Sequence, residues 1–199
     1  MTATLSPTSI SAGGSSTLTV SAAYTTAPGS YTVTVTGTEG ANTHTTVIAV
    51  TVTLKGIVNG GFETGDFTGW TATGVTAIVQ TSHSGAFAAQ VGSASPSADS
   101  TVSQTFTVPA AGGKLTFWYR MSCSDKVKND WFTVTLRDGV TGATSTLQSP
   151  VCSKMGAWTK VTANLSSFAG HSVTLTFVNH DDGHPGDPTY TLVDDVALS

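Results

Sequence analysis

From Ser15 onward the sequence is a succession of short runs in which alternate residues are β-branched or apolar, cut at close intervals by Gly, Pro, Asn and Asp. A period of two sends successive side chains to opposite faces of an extended strand, so each run offers one apolar face for burial. The runs fall at 15–20, 30–35 and 45–52, and then at 77–80, 87–92, 100–108, 114–122, 131–137, 144–151, 159–164, 171–179 and 189–198. Nowhere do apolar residues recur at spacings of three and four, which removes helix packing as the organising principle. Many short strands with one apolar face each bury those faces by packing sheet on sheet. The expected fold class is therefore all-β, an antiparallel β-sandwich.

The chain is divided by its charges. Residues 1–54 contain no Lys or Arg, whereas all eight basic residues fall from Lys55 onward. With 199 residues there is room for a standard sandwich and a smaller companion, and the expected domains are 1–54 and 55–199. Turn signals in the first segment are Gly13-Gly14, Ala27-Pro28-Gly29-Ser30 and Glu39-Gly40-Ala41-Asn42. Only 10% of the residues are charged, against roughly 25% in an average soluble domain, so the surface is covered by Thr, Ser, Asn and Gly. That texture points to export. A net charge of −4 argues against nucleic acid and anionic lipid as partners, since both require a basic face. The longest apolar run, Val47-Ile48-Ala49-Val50, is far short of the roughly 20 residues a membrane-spanning helix needs. No leader pattern opens the chain, and a signal or upstream domains are expected to have preceded it. In an exported chain Cys123 and Cys152 are expected to form one disulfide, closing a loop of about 30 residues and stabilising by roughly 3–4 kcal/mol. Two buried free thiols are the alternative.

The phrases Leu5-Ser6-Pro7-Thr8-Ser9-Ile10-Ser11-Ala12-Gly13-Gly14 and Pro28-Gly29-Ser30-Tyr31-Thr32-Val33-Thr34-Val35 resemble the second half of a bacterial immunoglobulin-like repeat. A complete domain of that kind takes about 100 residues, so residues 1–54 correspond to about half of one. Either the sequence begins inside the domain or the missing strands are supplied from elsewhere, and an uncovered edge invites self-association by strand pairing.

The richest motif is Asn59-Gly60-Gly61-Phe62-Glu63-Thr64-Gly65-Asp66-Phe67-Thr68-Gly69-Trp70. It resembles the opening of the jelly-roll carbohydrate-binding modules carried by xylanases and related secreted hydrolases. Ser84-Gly85-Ala86-Phe87-Ala88-Ala89-Gln90-Val91, Lys114-Leu115-Thr116-Phe117-Trp118-Tyr119-Arg120 and Leu192-Val193-Asp194-Asp195-Val196-Ala197-Leu198 are similar to later strands of that family. The interior is also similar in texture to MAM-like adhesion domains. What the resemblance implies is a jelly roll pinned by Ca²⁺, which takes six to eight oxygen ligands. Its ligands would be the side chains of Glu63 and Asp195, with carbonyls near Asn59, Gly61 and the Thr81-to-Ser84 loop. Without the ion, Glu63 would cap a turn and Asp195 would bond backbone amides.

A sugar site needs flat aromatic faces rimmed by hydrogen-bonding groups. Alternation places Leu115, Phe117, Tyr119 and Met121 on one face of their strand and Trp118 and Arg120 on the other. It likewise separates Phe132, Val134 and Leu136 from Trp131 and Arg137. The expectation is that Trp118, Arg120, Trp131 and Arg137 share one sheet surface as a shallow cleft. In the alternative, the two tryptophans pack under a loop and the arginines are solvated or pair with Asp125 and Asp130. Trp70 and Trp158 are expected in the core. The loop His180-Asp181-Asp182-Gly183-His184-Pro185-Gly186-Asp187-Pro188 reads first as two tight turns whose Asp side chains bond their own backbone. At the rim of a cleft, Asp181, Asp182 and His184 would instead contact the ligand.

No Gly-x-Ser-x-Gly elbow, His-Glu-x-x-His helix or phosphate-cradling loop occurs, and no separated carboxylate pair stands out beyond Glu63 and Asp195. The leading functional expectation is a non-enzymatic module of a secreted hydrolase that binds a polysaccharide or cell-surface glycan. The alternatives are a structural or adhesive surface protein and an accessory domain of a secreted protease.

Overall fold

The computed structural model describes residues 1–22, 26, 29–52, 56–95 and 98–199. Part of the expected turn at Ala27-Pro28 and the compositional boundary at Lys55 lie outside them. Contacts group the chain into two compact units, Met1–Leu54 and Lys55–Ser199.

In the first unit β1 (Thr2–Ser6) pairs antiparallel with β2 (Thr17–Ser21). β3 (Gly29–Glu39) and β4 (Asn42–Val52), eleven residues each, form a hairpin closed at Glu39↔Asn42. Their alternating Thr and Val favour extended backbone, but among the described residues of this unit only Val33 is a buried hydrophobic, while Val47 and Ile48 are exposed.

The second unit is a two-sheet sandwich. One sheet has the order β11-β10-β13-β8-β5, from Thr144–Val151, Trp131–Asp138, Ser172–His180, Ser100–Thr107 and Thr71–Thr73. The other has the order β12-β9-β14-β7-β6, from Thr159–Asn164, Lys114–Ser122, Tyr190–Leu198, Ala88–Gly92 and Thr76–Val79. All pairings are antiparallel. A 3₁₀ turn, Ser166–Phe168, joins β12 to β13. Pro150, which cannot donate to a ladder, sits on the edge strand β11, where such a residue is tolerated.

The core lies where the inward sets of the two sheets meet. Phe117 of β9 packs edge-on against Phe177 of β13 at 5.1 Å, and Tyr119 of β9 meets Phe132 of β10 at 5.1 Å. Trp70 is buried as expected, 5.3 Å from Phe62 and 5.9 Å from Phe177. Trp158 is not in the core. It is half-buried just before β12, on the outer side of its sheet, because the inward positions of that strand are taken by Val161 and Ala163. Cys123 follows β9 and Cys152 follows β11, and the two form a disulfide. The bond therefore staples one sheet to the other.

Candidate functional site

Three groups of residues bear on function, and the first is a clasp between the opening motif and the last strand. β14 pairs regularly with β9 as far as Asp194↔Trp118 and resumes at Ala197↔Thr116. The bulge between them puts Asp195 in the left-handed region, φ 49°, and turns it away from the regular alternation. The opening motif has the same unusual backbone at Asn59 (φ 50°) and Phe62 (φ 57°). Val196 N–H donates to the Gly60 carbonyl at 2.9 Å, holding the two segments together. A Cβ on Gly60 would overlap the Val196 carbonyl, which explains glycine there although its φ is not positive.

Within the clasp the carboxylates are organised by amides. Glu63 accepts from the Ala86 and Phe87 N–H groups at 3.0–3.1 Å. A Cβ on Gly85 would collide with this carboxylate. Asp195 accepts from the Ser84 hydroxyl at 2.7 Å and lies 2.6 Å from His83 Nδ1. Asp194, to which alternation alone assigned no role, is fully buried. Its oxygens accept from the N–H groups of His83 (2.7 Å), Ser84 (3.2 Å) and Asp195 (2.7 Å). Burial nonetheless pushes its carboxyl above the usual carboxylate range, more than those hydrogen bonds and despite their opposite pull. The outward alternation of β14 was the available signal, since a carboxylate at such a position in an apolar strand needs a cover, and the 83–84 loop provides it.

Asn59 has a different part. Its carbonyl accepts from the Phe62 N–H at 3.1 Å and the Trp70 indole N–H at 3.0 Å, which occupies both lone pairs. Its side-chain amide donates to Thr64 Oγ1 at 2.7 Å. It is the organiser of the loop, and its carbonyl does not fit a metal shell. Glu63, Asp195, the Gly61 backbone and Ser84 do fit as a hard, all-oxygen donor set. A Cβ on Gly61 would lie 3.5 Å from Glu63 Cγ and 3.9 Å from Asp195 Oδ1, so both carboxylate side chains border that glycine. Among the described residues, the one group of three His, Cys, Asp or Glu ligand atoms within 4.8 Å of one another lies elsewhere, at Asp125, Asp130 and Asp182.

The second and third groups lie on opposite outer faces of the sandwich, which corrects the expectation of one shared cleft. Trp118 and Arg120 belong to β9, whereas Trp131 and Arg137 belong to β10 in the other sheet. Alternation correctly separated outward from inward on each strand, but the two strands belong to opposite sheets, so their outward sides are two different surfaces. On the β10 side, Trp131 stacks on His180 at 5.0 Å with ring planes 20° apart, and His180 bonds Asp99. Beyond this pair the outer face is lined with hydroxyls. Thr73 and Thr101 bond each other at 2.6 Å, and Thr105 and Thr174 at 2.8 Å, while Ser103 and Thr176 face one another in the register between them. Arg137 is exposed toward the far end of β10.

The polar loop after β13 is the pair of turns expected as the first reading. Asp181 is buried and accepts from the Gly183 and Thr189 N–H groups at 2.7 Å, which makes it part of the scaffold. Asp182 accepts from the His184 N–H, and His184 Nδ1 contacts Asp187 at 3.0 Å; both Asp182 and His184 remain exposed. Asp130, buried, takes the Asp182 N–H and the Thr189 hydroxyl. The arginines do not pair with Asp125 or Asp130 among the described residues; Asp125 accepts from the Asn129 side chain, and Asp130 from the Asp182 N–H and the Thr189 hydroxyl.

On the β9 side, Trp118 stacks under His83 at 3.9 Å with planes 17° apart, and Trp158 meets the same histidine edge-on at 5.7 Å. Lys160 lies 5.7 Å from the Trp118 ring centre, and Arg120 Nε donates to the Gly156 carbonyl at 2.9 Å.

No family model and no curated protein matches the chain. Solved structures do. A family 61 carbohydrate-binding module in complex with β-1,4-galactotriose aligns over 72% of this chain and 96% of its own, with 17% identity and a TM-score of 0.55. The jelly roll shares the fold of carbohydrate-binding modules. The enzymatically active domain of tailspike protein 4 from bacteriophage CBA120 aligns over 72% of this chain and 21% of its own, at 9% identity and a TM-score of 0.50. The xylan-binding domain of Paenibacillus barcinonensis Xyn10C aligns over 73% and 94%, at 17% identity and 0.49. No helix among the described residues is long and apolar enough to cross a membrane.

Proposed function

We propose that residues 55–199 form a non-catalytic carbohydrate-binding module of a secreted hydrolase, and that residues 1–54 are a partial immunoglobulin-like unit linking it to neighbouring domains. The observation that carries this reading is the outer face of β5-β8-β13-β10-β11. A row of Thr and Ser hydroxyls ends there in Trp131 stacked on His180, with Asp99 and Asp182 beside it. A pyranose stacks its C–H face on an indole and exchanges hydrogen bonds with hydroxyls and carboxylates around it. A module of this kind works by raising the local concentration of its enzyme at a polymer. The non-catalytic assignment is supported by the buried carboxylates Asp130, Asp181 and Asp194, whose oxygens accept hydrogen bonds from the scaffold.

Affinity electrophoresis through galactan, xylan, mannan and soluble cellulose derivatives tests the reading. At least one neutral glycan is expected to retard the chain, and Trp131→Ala to weaken that retardation at least tenfold, the value of one stacked ring. No retardation by any of them refutes the Trp131 face as a sugar site, and failure of acidic glycans as well refutes the module.

Glu63, the Gly61 carbonyl, Ser84 and Asp195 would hold a calcium ion, which would supply positive charge between carboxylates of the opening and closing motifs. Asp194 fixes the 83–84 loop beside them through the His83 and Ser84 N–H groups. Calcium is expected to raise Tm relative to EDTA. An unchanged Tm would remove the ion from the account.

One observation favours a second reading, assembly through strand pairing: the β3–β4 hairpin exposes Val47 and Ile48 on long strands. Light scattering separates the two, since an assembling chain gains mass with concentration and a tethered binder remains a monomer.

A further inference from the structure

The outer face of β12-β9-β14 differs in charge from the hydroxyl-lined face opposite. Register places Lys160 of β12 directly across from Trp118 of β9, and Arg120 follows two residues along on the same side. Trp158 stands just before β12 against the edge of His83, and Lys154 is exposed in the preceding loop, whose Gly156 carbonyl orients the Arg120 guanidinium through Nε. Among the described residues every ion pair has a histidine as its cation, so Arg120, Lys154 and Lys160 have no carboxylate partner. The carboxylates next to this face are spoken for: Asp194 is buried under three amides, and Asp195 is engaged by His83 and Ser84. In a chain of net charge −4 with eight basic residues, three cations without an ion-pair partner thus gather around two indoles.

Its aromatic part is fixed in advance. Trp118 is held beneath His83, which is itself anchored on Asp195, so the rings form a corner with little freedom to lose on binding. Lys160 and Arg120 flank that corner, and the guanidinium, oriented by one hydrogen bond, retains its two terminal nitrogens for a carboxylate. A neutral sugar uses none of this charge. A sugar carrying a carboxylate at its ring uses it together with the indole of Trp158.

We propose that this face is a second binding surface, specific for polysaccharides of uronic acids. It rests on the reading of the jelly roll as a carbohydrate-binding module. The two sites would occupy opposite sides of one sandwich, so that a single module bridges a neutral and an acidic polymer.

Polygalacturonate and its methyl-esterified form serve as probes, with dextran sulfate, a sulfated glucan without carboxylates, as the comparison, in affinity electrophoresis and calorimetry on the full chain. The acidic polymer is expected to bind and the ester not to. Binding should weaken from 0.05 to about 0.5 M salt as the Debye length shortens. Lys160→Gln is expected to weaken binding about tenfold, the loss of one charge-assisted contact, and Lys160→Arg to restore most of it. Trp131→Ala should leave polygalacturonate binding unchanged. The proposal is overturned if polygalacturonate does not bind, if the ester or dextran sulfate binds equally well, or if Trp131→Ala abolishes binding while Lys160→Gln does not. Retained binding of a neutral glycan with none of polygalacturonate removes the second surface alone, whereas failure of both classes removes the carbohydrate reading itself.

Discussion

Gly60→Ala probes the clasp between the two motifs more directly than any substitution of a charged residue. The methyl group would overlap the Val196 carbonyl oxygen, sit 2.9 Å from that carbonyl carbon and touch Ile57 Cγ2 at 3.0 Å. The principal collision is between backbones, so no side-chain rotation relieves it, and the motif must back away from β14. That movement breaks the 2.9 Å bond from the Val196 N–H to the Gly60 carbonyl, at about 1 kcal/mol. Overpacking adds about 2 kcal/mol. For a unit of this size, a total of about 3 kcal/mol lowers Tm by roughly 6–12 °C. All four tryptophans lie in residues 55–199, so tryptophan fluorescence, excited beyond the tyrosine band, follows the jelly roll without interference from the first unit. Gly183→Ala is the matched control: its φ is 81° and nothing lies within 4 Å, so it carries only the backbone cost of about 1 kcal/mol. A Gly60→Ala protein melting within 1 °C of the parent, or no lower than Gly183→Ala, would show that the close approach does not hold the clasp.

Two further outcomes test other parts of the sandwich. Replacing Cys123 and Cys152 by Ala is expected to cost about 3–4 kcal/mol, because the bond closes a loop with a sequence separation of 29 and ties one sheet to the other; a urea titration with an unchanged midpoint would contradict this. Asp138, whose carboxyl is held below the usual carboxylate range chiefly by the Val140 N–H, binds fewer protons folded than unfolded. Its contribution is therefore present above the unfolded value near 3.8 and is lost as pH falls through the lower folded value, so Asp138→Asn should flatten stability against pH below about 4, as followed by urea midpoints.

The strands were legible because their signal is local. Alternation in residues such as Leu115, Phe117 and Tyr119, or Val173, Leu175 and Phe177, reports burial on one side without reference to the rest of the chain, and these are the side chains found in the core. The strands not anticipated are those that carry too little of that signal. β5 is three residues long, Thr71–Thr73, less than two periods of alternation, and β1 contains only Ala3 and Leu5 between polar residues. The disulfide was legible from two cysteines in an export-like composition. Asp194 was not, since its burial comes from a loop 110 residues away in sequence that folds over the outer face of its strand.

The failure of the single cleft follows from the same physics that made the strands readable. Alternation fixes which way a side chain points relative to its own strand, but a binding face is made by neighbouring strands, and neighbours are set by long-range pairing. β9 lies between β12 and β14, and β10 between β11 and β13. In a sandwich, two strands from facing sheets whose apolar sides meet in the core turn their other sides in opposite directions. Phe117 and Phe132 enter one core from opposite sheets, so Trp118 and Trp131 could share a surface only if β9 and β10 were strands of the same sheet. The consequence reaches function. Four residues that would have made one cleft instead divide into Trp131 and Arg137 on the hydroxyl-lined face and Trp118 and Arg120 on the face that carries Lys160, and it is this division that the two proposed binding surfaces rest on.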